Sequence, residues 1–172
     1  MAPATIPLEF TQRVLLRELR TLQAEIGAYP READLWRVVP GISNPGGNLA
    51  LHLCGNLQHY IGARLGNSGY VRDRAAEFSQ RDVSRAEILR LVDMTIASVT
   101  AVLSRLDACA LEADFPEAVG GFTVKTAEFL AHLASHLAYH LGQIDYHRRM
   151  TTQSPTTASA VPVAALASAR TP

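Results

Sequence analysis

Residues 129–144 read FLAHLASHLAYHLGQI. Large apolar residues recur in this stretch every three or four positions, which is the period of one face of an α-helix. Histidine recurs with the same period, at His132, His136 and His140. Side chains four residues apart lie one turn apart on one helix face, with Cβ atoms about 5–6 Å apart. The stretch therefore predicts an amphipathic helix, over residues 124–149, that carries a row of histidines toward the core.

Three further segments show the same helical period, and they cover residues 8–26, 46–66 and 84–108. Asn44 followed by Pro45 predicts an N-cap with proline at the first helical position of the second helix. Ser84 and Glu87 form a capping box at the start of the third helix. Strand signals are weak throughout. Four helices with apolar stripes predict an all-α four-helix bundle, and connectors of about 17 residues leave the helix order open.

The connectors between these helices are predicted to be irregular. Residues 31–47 contain two prolines and three glycines, and Trp36 within them is expected to pack against the bundle. Residues 70–83 are polar, and Thr123 is expected to cap the last helix.

The chain of 172 residues is long enough for one domain with a tail. We predict a bundle over residues 1–150 and a disordered tail over residues 151–172, because the tail consists largely of Thr, Ser, Ala, Pro and Val without periodicity. A bundle of about 150 residues buries enough surface to fold without a metal or disulfide.

Composition excludes several classes of function. Basic and acidic residues number 16 each, so the net charge of zero argues against nucleic acid or an anionic membrane as partner. Two cysteines are too few for a disulfide framework, and no apolar run is long enough to span a membrane. The N-terminal residues lack the pattern of a signal peptide, so a cytoplasmic location is expected.

The six histidines suggest a site only when the two helices that carry them are considered together. His52 and His59 lie on the second predicted helix, and the other four lie on the last. Several buried imidazoles on one face are explained more simply by a shared ion than by separate hydrogen bonds. Spacing does not decide whether His132 and His136 or His136 and His140 form the pair on the last helix, and His52 supplies a third ligand.

Other polar residues near these histidines are candidates for a role in the site, and each also has a simpler structural interpretation. Gln143 and Asn56 are possible partners for a ligand ring or a bound water, or ordinary packing residues. The cluster from Arg72 to Glu77 is a possible ion-pair network or anion site, although a solvated loop is the simpler interpretation. Cys54 is expected to be a small core residue. Tyr139 and Tyr146 are expected to pack.

Three stretches carry a resemblance to a known family. The segments HLAYHLGQI at 136–144 and NLALHLCGN at 48–56 resemble the paired histidine motifs of the DinB/YfiT-like superfamily. The segment RDRAAEF at 72–78 is similar to an uncharacterised branch of that superfamily. Together the motifs extend over the whole predicted bundle.

The resemblance implies a four-helix bundle, often a homodimer, with one divalent metal ion held by His52, His136 and His140. Zinc and nickel are the metals it implies, and some members resemble transferases that activate a low-molecular-weight thiol. No catalytic residue follows from it.

Two functional hypotheses remain at the level of sequence. The first is a metal-dependent enzyme, a thiol transferase or hydrolase, that acts on a small-molecule substrate by activating a water or a thiol at an open metal position. The second is a non-catalytic, stress-related dimeric module that binds a metal or small ligand.

Overall fold

The computed structural model describes residues 8–158 and 169–170. In chain order its helices are α1 Leu8–Gly27, α2 Glu32–Leu35, α3 Gly46–Leu57, α4 Arg74–Ser79, α5 Arg85–Leu103, α6 Ala108–Glu112 and α7 Thr126–Thr152. α3 continues directly into a π-helical segment, Gln58–Leu65. Over the described residues only two isolated β-bridges occur. The predicted all-α four-helix bundle is confirmed, with α1, α3, α5 and α7 as its long helices.

The packing order of the bundle brings the two histidine-bearing helices together. α1 and α3 each pack against both α5 and α7. The connections from α1 to α3 and from α5 to α7 therefore join helices on the diagonals of the bundle. Because α3 and α7 are neighbours, side chains from both can meet at one place.

The core is built from the apolar stripes of these helices. Leu15, Leu19, Leu22 and Ile26 of α1 are fully buried, as their spacing predicts. Burial of each such side chain stabilises the fold by about 1.5–3 kcal/mol. Leu133, Leu137 and Ile144 of α7 are buried in the same core.

Two helix boundaries differ from prediction because an aspartate caps a new short helix. The third predicted helix ends at Leu103 rather than near 108, and Asp107 then accepts a hydrogen bond from Ala110 N at 2.8 Å to start α6. Residues 70–83 are not wholly irregular, because Asp73 accepts from Ala76 N at 2.9 Å and starts α4. A side-chain cap satisfies backbone N–H groups that would otherwise lack a partner.

The start of α7 also differs from prediction. Thr123 is not its cap, since the helix begins at Thr126. The preceding residues are held in an extended loop by the bridges Asp114 to Lys125 and Val119 to Phe122.

The start of α3 is shifted by one residue from the predicted Asn44 cap. Pro45 occupies the N-cap position without a side-chain hydrogen bond, and the helix begins at Gly46. Trp36 packs against the bundle as predicted, and its Nε1 donates to the Val83 carbonyl at 3.2 Å. A Cβ on Gly47 would lie within 2.9 Å of the Trp36 ring, so glycine is required for this packing.

The predicted tail begins inside α7, which extends to Thr152. Beyond it, Thr156 O accepts from Arg148 Nη2 at 2.8 Å, and Ala158 N donates to Glu25 Oε1 at 3.0 Å. The rest of the predicted tail, except residues 169–170, lies outside the described residues. In the described part of the chain, no helix has the length and apolar character needed to cross a membrane.

Candidate metal centre

Three histidines from two helices meet between α3 and α7. Each of His52, His136 and His140 offers a ring nitrogen, and these atoms all lie within 4.8 Å of one another, so the group could hold a metal ion. The three rings are mutually edge-on, with centroid separations of 4.6–5.2 Å. His52 is buried, whereas His136 and His140 are half-buried at the edge of the core rather than inside it.

The structure resolves which pair of α7 faces His52. His136 and His140 do so, since they lie one turn apart on the face that packs against α3. His132, one turn earlier, is exposed and stacks on Phe129 with ring centroids 5.8 Å apart.

A buried carboxylate orients His52. Glu77 Oε2 lies 2.9 Å from His52 Nδ1, and Arg72 donates to both carboxylate oxygens of Glu77, at 2.6 and 2.8 Å. Arg72 Nη2 also lies 3.2 Å from the same His52 nitrogen. Because a carboxylate only accepts and is the closer group, His52 Nδ1 carries the proton and donates it to Glu77. The lone pair of His52 is therefore on Nε2, which faces His136.

Glu77 is ionised in this environment. Burial alone would raise the pKa of Glu77, but the hydrogen bonds from Arg72 and His52 outweigh it and hold the pKa below its usual value. The solvated-loop interpretation of this cluster is therefore wrong for Arg72 and Glu77, which form the ion-pair network that the sequence left as an alternative.

The backbone around Glu77 makes room for its carboxylate. A Cβ on Gly55, three residues after His52 on α3, would lie 2.8 Å from Glu77 Cδ and would overlap Oε1. Asn48, one turn before His52, donates from Nδ2 to the carbonyls of Glu77 and Gln80, at 2.8 and 3.0 Å. α3 thus positions His52 and also fixes α4, which carries the partner of His52.

His140 also has a side-chain partner, Gln143. Its Nδ1 lies 2.6 Å from Gln143 Oε1, so Nδ1 donates to the amide oxygen and the lone pair lies on Nε2. The structure thus places Gln143 against the ring of a predicted ligand. Burial lowers the pKa of His140, which favours its neutral form.

His136 is the third histidine of the cluster, and only one of its ring nitrogens contacts a hydrogen-bonding group. Its Nε2 lies 3.3 Å from His52 Nε2, and its buried Nδ1 has no hydrogen-bond partner among the described residues. Burial, together with the nearby His140 and His52 rings, lowers the pKa of His136 to about 4. The ring is therefore neutral near pH 7 and can act as an electron-pair donor.

These residues fit a divalent cation by their donor chemistry and by spacing. Two nitrogens bound to one zinc ion at 2.0–2.1 Å in tetrahedral geometry lie about 3.3–3.4 Å apart. The separation of His52 Nε2 and His136 Nε2 is 3.3 Å. Hydrogen bonds at the other nitrogens of His52 and His140 fix their tautomers, as is usual for metal-bound histidines.

Asn56 is the other polar residue that the sequence offers as a partner for a ligand ring or a bound water. It is buried one turn beyond His52, but its Oδ1 has no hydrogen-bond partner within the described part of the chain. A role for Asn56 beside the metal remains a prediction.

The remaining histidines belong to other local structures. His59 Nε2 lies 3.2 Å from Glu117, which also forms an ion pair with Arg64. His147 is buried, and each of its ring nitrogens contacts a hydrogen-bonding group of the protein.

A groove of about 630 Å³ borders the histidine cluster at His140. His140 and Gln143 line it, together with apolar residues from α3, α7 and the preceding connector, namely Ile42, Leu49, Tyr139, Tyr146 and Met150. Tyr139 and Tyr146 are 66% and 65% exposed, so the prediction that they are packing residues is wrong. The two tyrosines lie seven residues apart, about two helical turns, so both are on the side of α7 that faces the groove.

The two cysteines lie outside the centre. Cys54 is buried in the core, as predicted, and burial raises the pKa of its thiol to about 12. Cys109 is free and exposed on α6. With so high a pKa, the Cys54 thiol is not ionised near neutral pH and is a poor metal ligand.

Sequence reasoning missed Glu77 as the partner of His52. The two residues are 25 positions apart and belong to different helices, so no periodic pattern connects them. The available signal was Gly55, since a glycine three residues from a candidate ligand inside a helix indicates close approach by another group.

Comparison with known proteins agrees with this architecture. The family described as the DinB superfamily matches residues 8–144, which include α1 to α6, most of α7 and all three histidines of the cluster. No protein with a curated description and no solved structure matches the chain.

Proposed function

This chain belongs to the DinB superfamily, and we propose that it binds one divalent metal ion through His52, His136 and His140. The observation that carries the proposal is the convergence of three imidazoles whose ring nitrogens lie within 4.8 Å of one another. Glu77 and Gln143 support it, because they hold the opposite nitrogens of His52 and His140.

The donor set favours a transition metal over magnesium or calcium, and the motif resemblance implies zinc or nickel among these. Imidazole nitrogen suits zinc, nickel and copper, whereas magnesium and calcium prefer oxygen ligands. Three protein ligands also leave at least one coordination position for another molecule, which is typical of reactive rather than structural sites.

We propose further that the site is catalytic and acts on a small molecule with a water or a low-molecular-weight thiol as nucleophile. A divalent cation would supply Lewis acidity, which lets such a nucleophile lose its proton near neutral pH. His52 and His140 would keep fixed orientations through Glu77 and Gln143, and His136 would stay unprotonated because of its low pKa. The reaction class is that of a thiol transferase or a hydrolase.

The groove supports a small and largely uncharged substrate. His140 and Gln143 border it, and its described lining contains no Asp, Glu, Lys or Arg. A substrate that lies between Tyr139 and Tyr146 would reach the cluster along α7. Pockets that are mainly apolar with a few placed polar groups are the common form of small-molecule sites.

The first experiment is elemental analysis of protein purified without a histidine tag or added metal. We expect about one equivalent of zinc or nickel in the wild type and its loss in His52→Ala, with both proteins folded by circular dichroism. Protein that contains no metal and takes up neither zinc nor nickel would contradict the proposal. Turnover should then be measured with a thiol and an electrophile, and a metal-loaded protein that turns over no thiol or hydrolase substrate would contradict the catalytic part.

The exposed face of α7 favours a second candidate, a homodimeric binding module without catalysis. Tyr139, Tyr146 and Met150 expose half or more of their side-chain surface in one chain. Large exposed apolar patches often mark protein interfaces. Sedimentation would separate the two candidates: a dimer whose contacts close the groove at Tyr146 supports the module, whereas an open groove beside the metal supports the enzyme.

A further inference from the structure

Glu77 is held by more contacts than its ion pair requires. Its side chain is 6% exposed and accepts two hydrogen bonds from Arg72 and one from His52 Nδ1. Asn48 fixes its backbone carbonyl at 2.8 Å. Glu77 is thus fixed both at its side-chain carboxylate and at its backbone carbonyl.

The helix that carries His52 is adapted to this carboxylate. Gly55 lies in the interior of α3, where glycine is less favourable than alanine by about 0.8–1 kcal/mol. Any Cβ at this position would overlap the Glu77 side chain. The contact between Glu77 and α3 therefore determines which residue position 55 can hold.

A second buried ion pair shows what a purely structural arrangement looks like in this fold. Glu25 Oε2 accepts from Arg148 Nε at 2.6 Å, and both side chains are at most 3% exposed. This pair joins α1 to α7 and touches no histidine of the cluster. The ion pair of Glu77 and Arg72 differs because its carboxylate also contacts the ring of His52.

We infer that Glu77, fixed by Arg72, Asn48 and the space left by Gly55, is the positioning residue of the metal centre and determines which nitrogen of His52 faces the ion. The inference rests on the proposed metal binding. With the proton on Nδ1 donated to Glu77, Nε2 is free to face His136. Without the carboxylate, the proton is free to move to Nε2, where it blocks the ligand position.

The substitution Glu77→Gln tests this role with little change of shape. An amide removes the negative charge and replaces one oxygen with an NH2 donor, which would then face either Arg72 Nε or the position where Arg72 Nη2 and His52 Nδ1 both donate. We expect a 10–100-fold loss of affinity for Zn²⁺ and Ni²⁺, the range typical when a partner of a metal-bound histidine is removed. Affinity is measured by competition with a chromophoric chelator, and Glu25→Gln is the matched control for loss of a buried ion pair.

A second measurement does not depend on metal at all. Long-range ¹H–¹⁵N correlation spectra of the metal-free protein report which nitrogen of His52 carries the proton. We expect the Nδ1–H form in the wild type and in Glu25→Gln, and a shift toward the Nε2–H form in Glu77→Gln. If Glu77→Gln does not fold, Glu77→Asp takes its place, because it retains the charge for Arg72 but is one carbon too short to reach His52.

The outcomes separate this inference from the proposed function. Wild-type affinity and an unchanged His52 tautomer in Glu77→Gln would overturn the positioning role and leave the metal site standing. An equal loss of affinity in Glu25→Gln would overturn it too, because the effect would then be general destabilisation. A wild-type protein that binds neither ion would overturn the proposed function itself.

Discussion

His140 and His147 lie seven residues apart on one face of α7, about two helical turns, yet their surroundings have opposite chemistry. His147 is 1% exposed; its Nδ1 contacts Tyr29 Oη at 2.7 Å and Gly46 N at 3.3 Å, and its Nε2 donates to the Arg37 carbonyl at 2.8 Å. His140 uses only Nδ1 for the protein, where it meets Gln143. Its ring lies edge-on to those of His52 and His136, with centroids 5.2 and 4.6 Å away.

The difference shows how one residue type serves two purposes on one helix. Every polar atom of His147 is satisfied by protein groups from the segments on either side of α2 and from the start of α3, so His147 joins these elements to α7. The three-histidine cluster leaves lone pairs that protein groups do not use. A buried polar atom without a partner destabilises the fold by about 1–3 kcal/mol, so such an arrangement is favoured when something else binds there.

The largest expected effect is the loss of metal from the double variant His136→Ala/His140→Ala. Two of three ligands are removed, so metal content should fall from about one equivalent to none. Because both rings are half-buried, the free energy of unfolding of metal-free protein should change by less than about 1 kcal/mol. Elemental analysis measures the metal content, and urea denaturation measures the free energy of unfolding. Metal retained at the wild-type level would contradict the metal-binding role that distinguishes the cluster from His147.

Next in size is the destabilisation expected from His147→Ala. The change leaves the Gly46 N–H and the Arg37 carbonyl without their partner, leaves the Tyr29 hydroxyl only the Ile144 carbonyl at 3.3 Å, and opens a cavity. We expect a loss of about 3 kcal/mol in the free energy of unfolding. One equivalent of metal should still bind at low temperature, and a variant as stable as the wild type would contradict the structural role of His147.

A smaller effect is expected from Gly55→Ala, with Gly142→Ala as its control. Alanine at 55 would overlap Glu77, whereas a Cβ at 142 meets nothing within 4 Å. Overpacking at 55 should lower the free energy of unfolding by about 1–3 kcal/mol and weaken metal binding. Alanine at 142 should raise stability by up to about 1 kcal/mol through helix propensity and leave metal binding unchanged. Equal behaviour of the two variants in denaturation and metal titration would argue against the Glu77 contact.

The smallest effect concerns pH. Burial lowers the pKa of His147 below its ordinary value of 6.5, so the unfolded chain binds a proton there more readily than the folded one. Stability of metal-free protein should therefore fall as pH decreases below about 6.5, by at most about 1.4 kcal/mol per pH unit for this residue. His147→Gln should show a shallower decline between pH 7 and 5.5, and identical slopes for the two proteins would contradict the buried, neutral state of His147.

The helical period predicted the long helices well because it reports burial directly. Leu15 to Ile26 in α1 and Leu133 to Ile144 in α7 are buried where the pattern places them. Helix ends were less predictable, since Asp73 and Asp107 begin short helices by hydrogen bonds to the backbone three residues later. Such capping competes with continuation of the neighbouring helix, and the pattern of apolar residues does not reveal which prevails.

For the site, the sequence supplied histidines at helical spacing, and the motif resemblance named His52, His136 and His140. It did not reveal that His147 on the same face is fully satisfied, because its partners come from Tyr29, Arg37 and Gly46. Nor did it identify Glu77.

The sequence by itself determined the all-α bundle, the two helices that carry histidine and the family to which the chain belongs, because periodicity and motif spacing are local along the chain. Only the tertiary structure decided which histidines meet, which nitrogens of His52 and His140 have protein partners, and that Glu77 contacts His52. These depend on the diagonal connections that place α3 beside α7 and on α4 folding back over Gly55. A hydrogen bond between residues far apart in the chain follows from packing, and packing is not periodic.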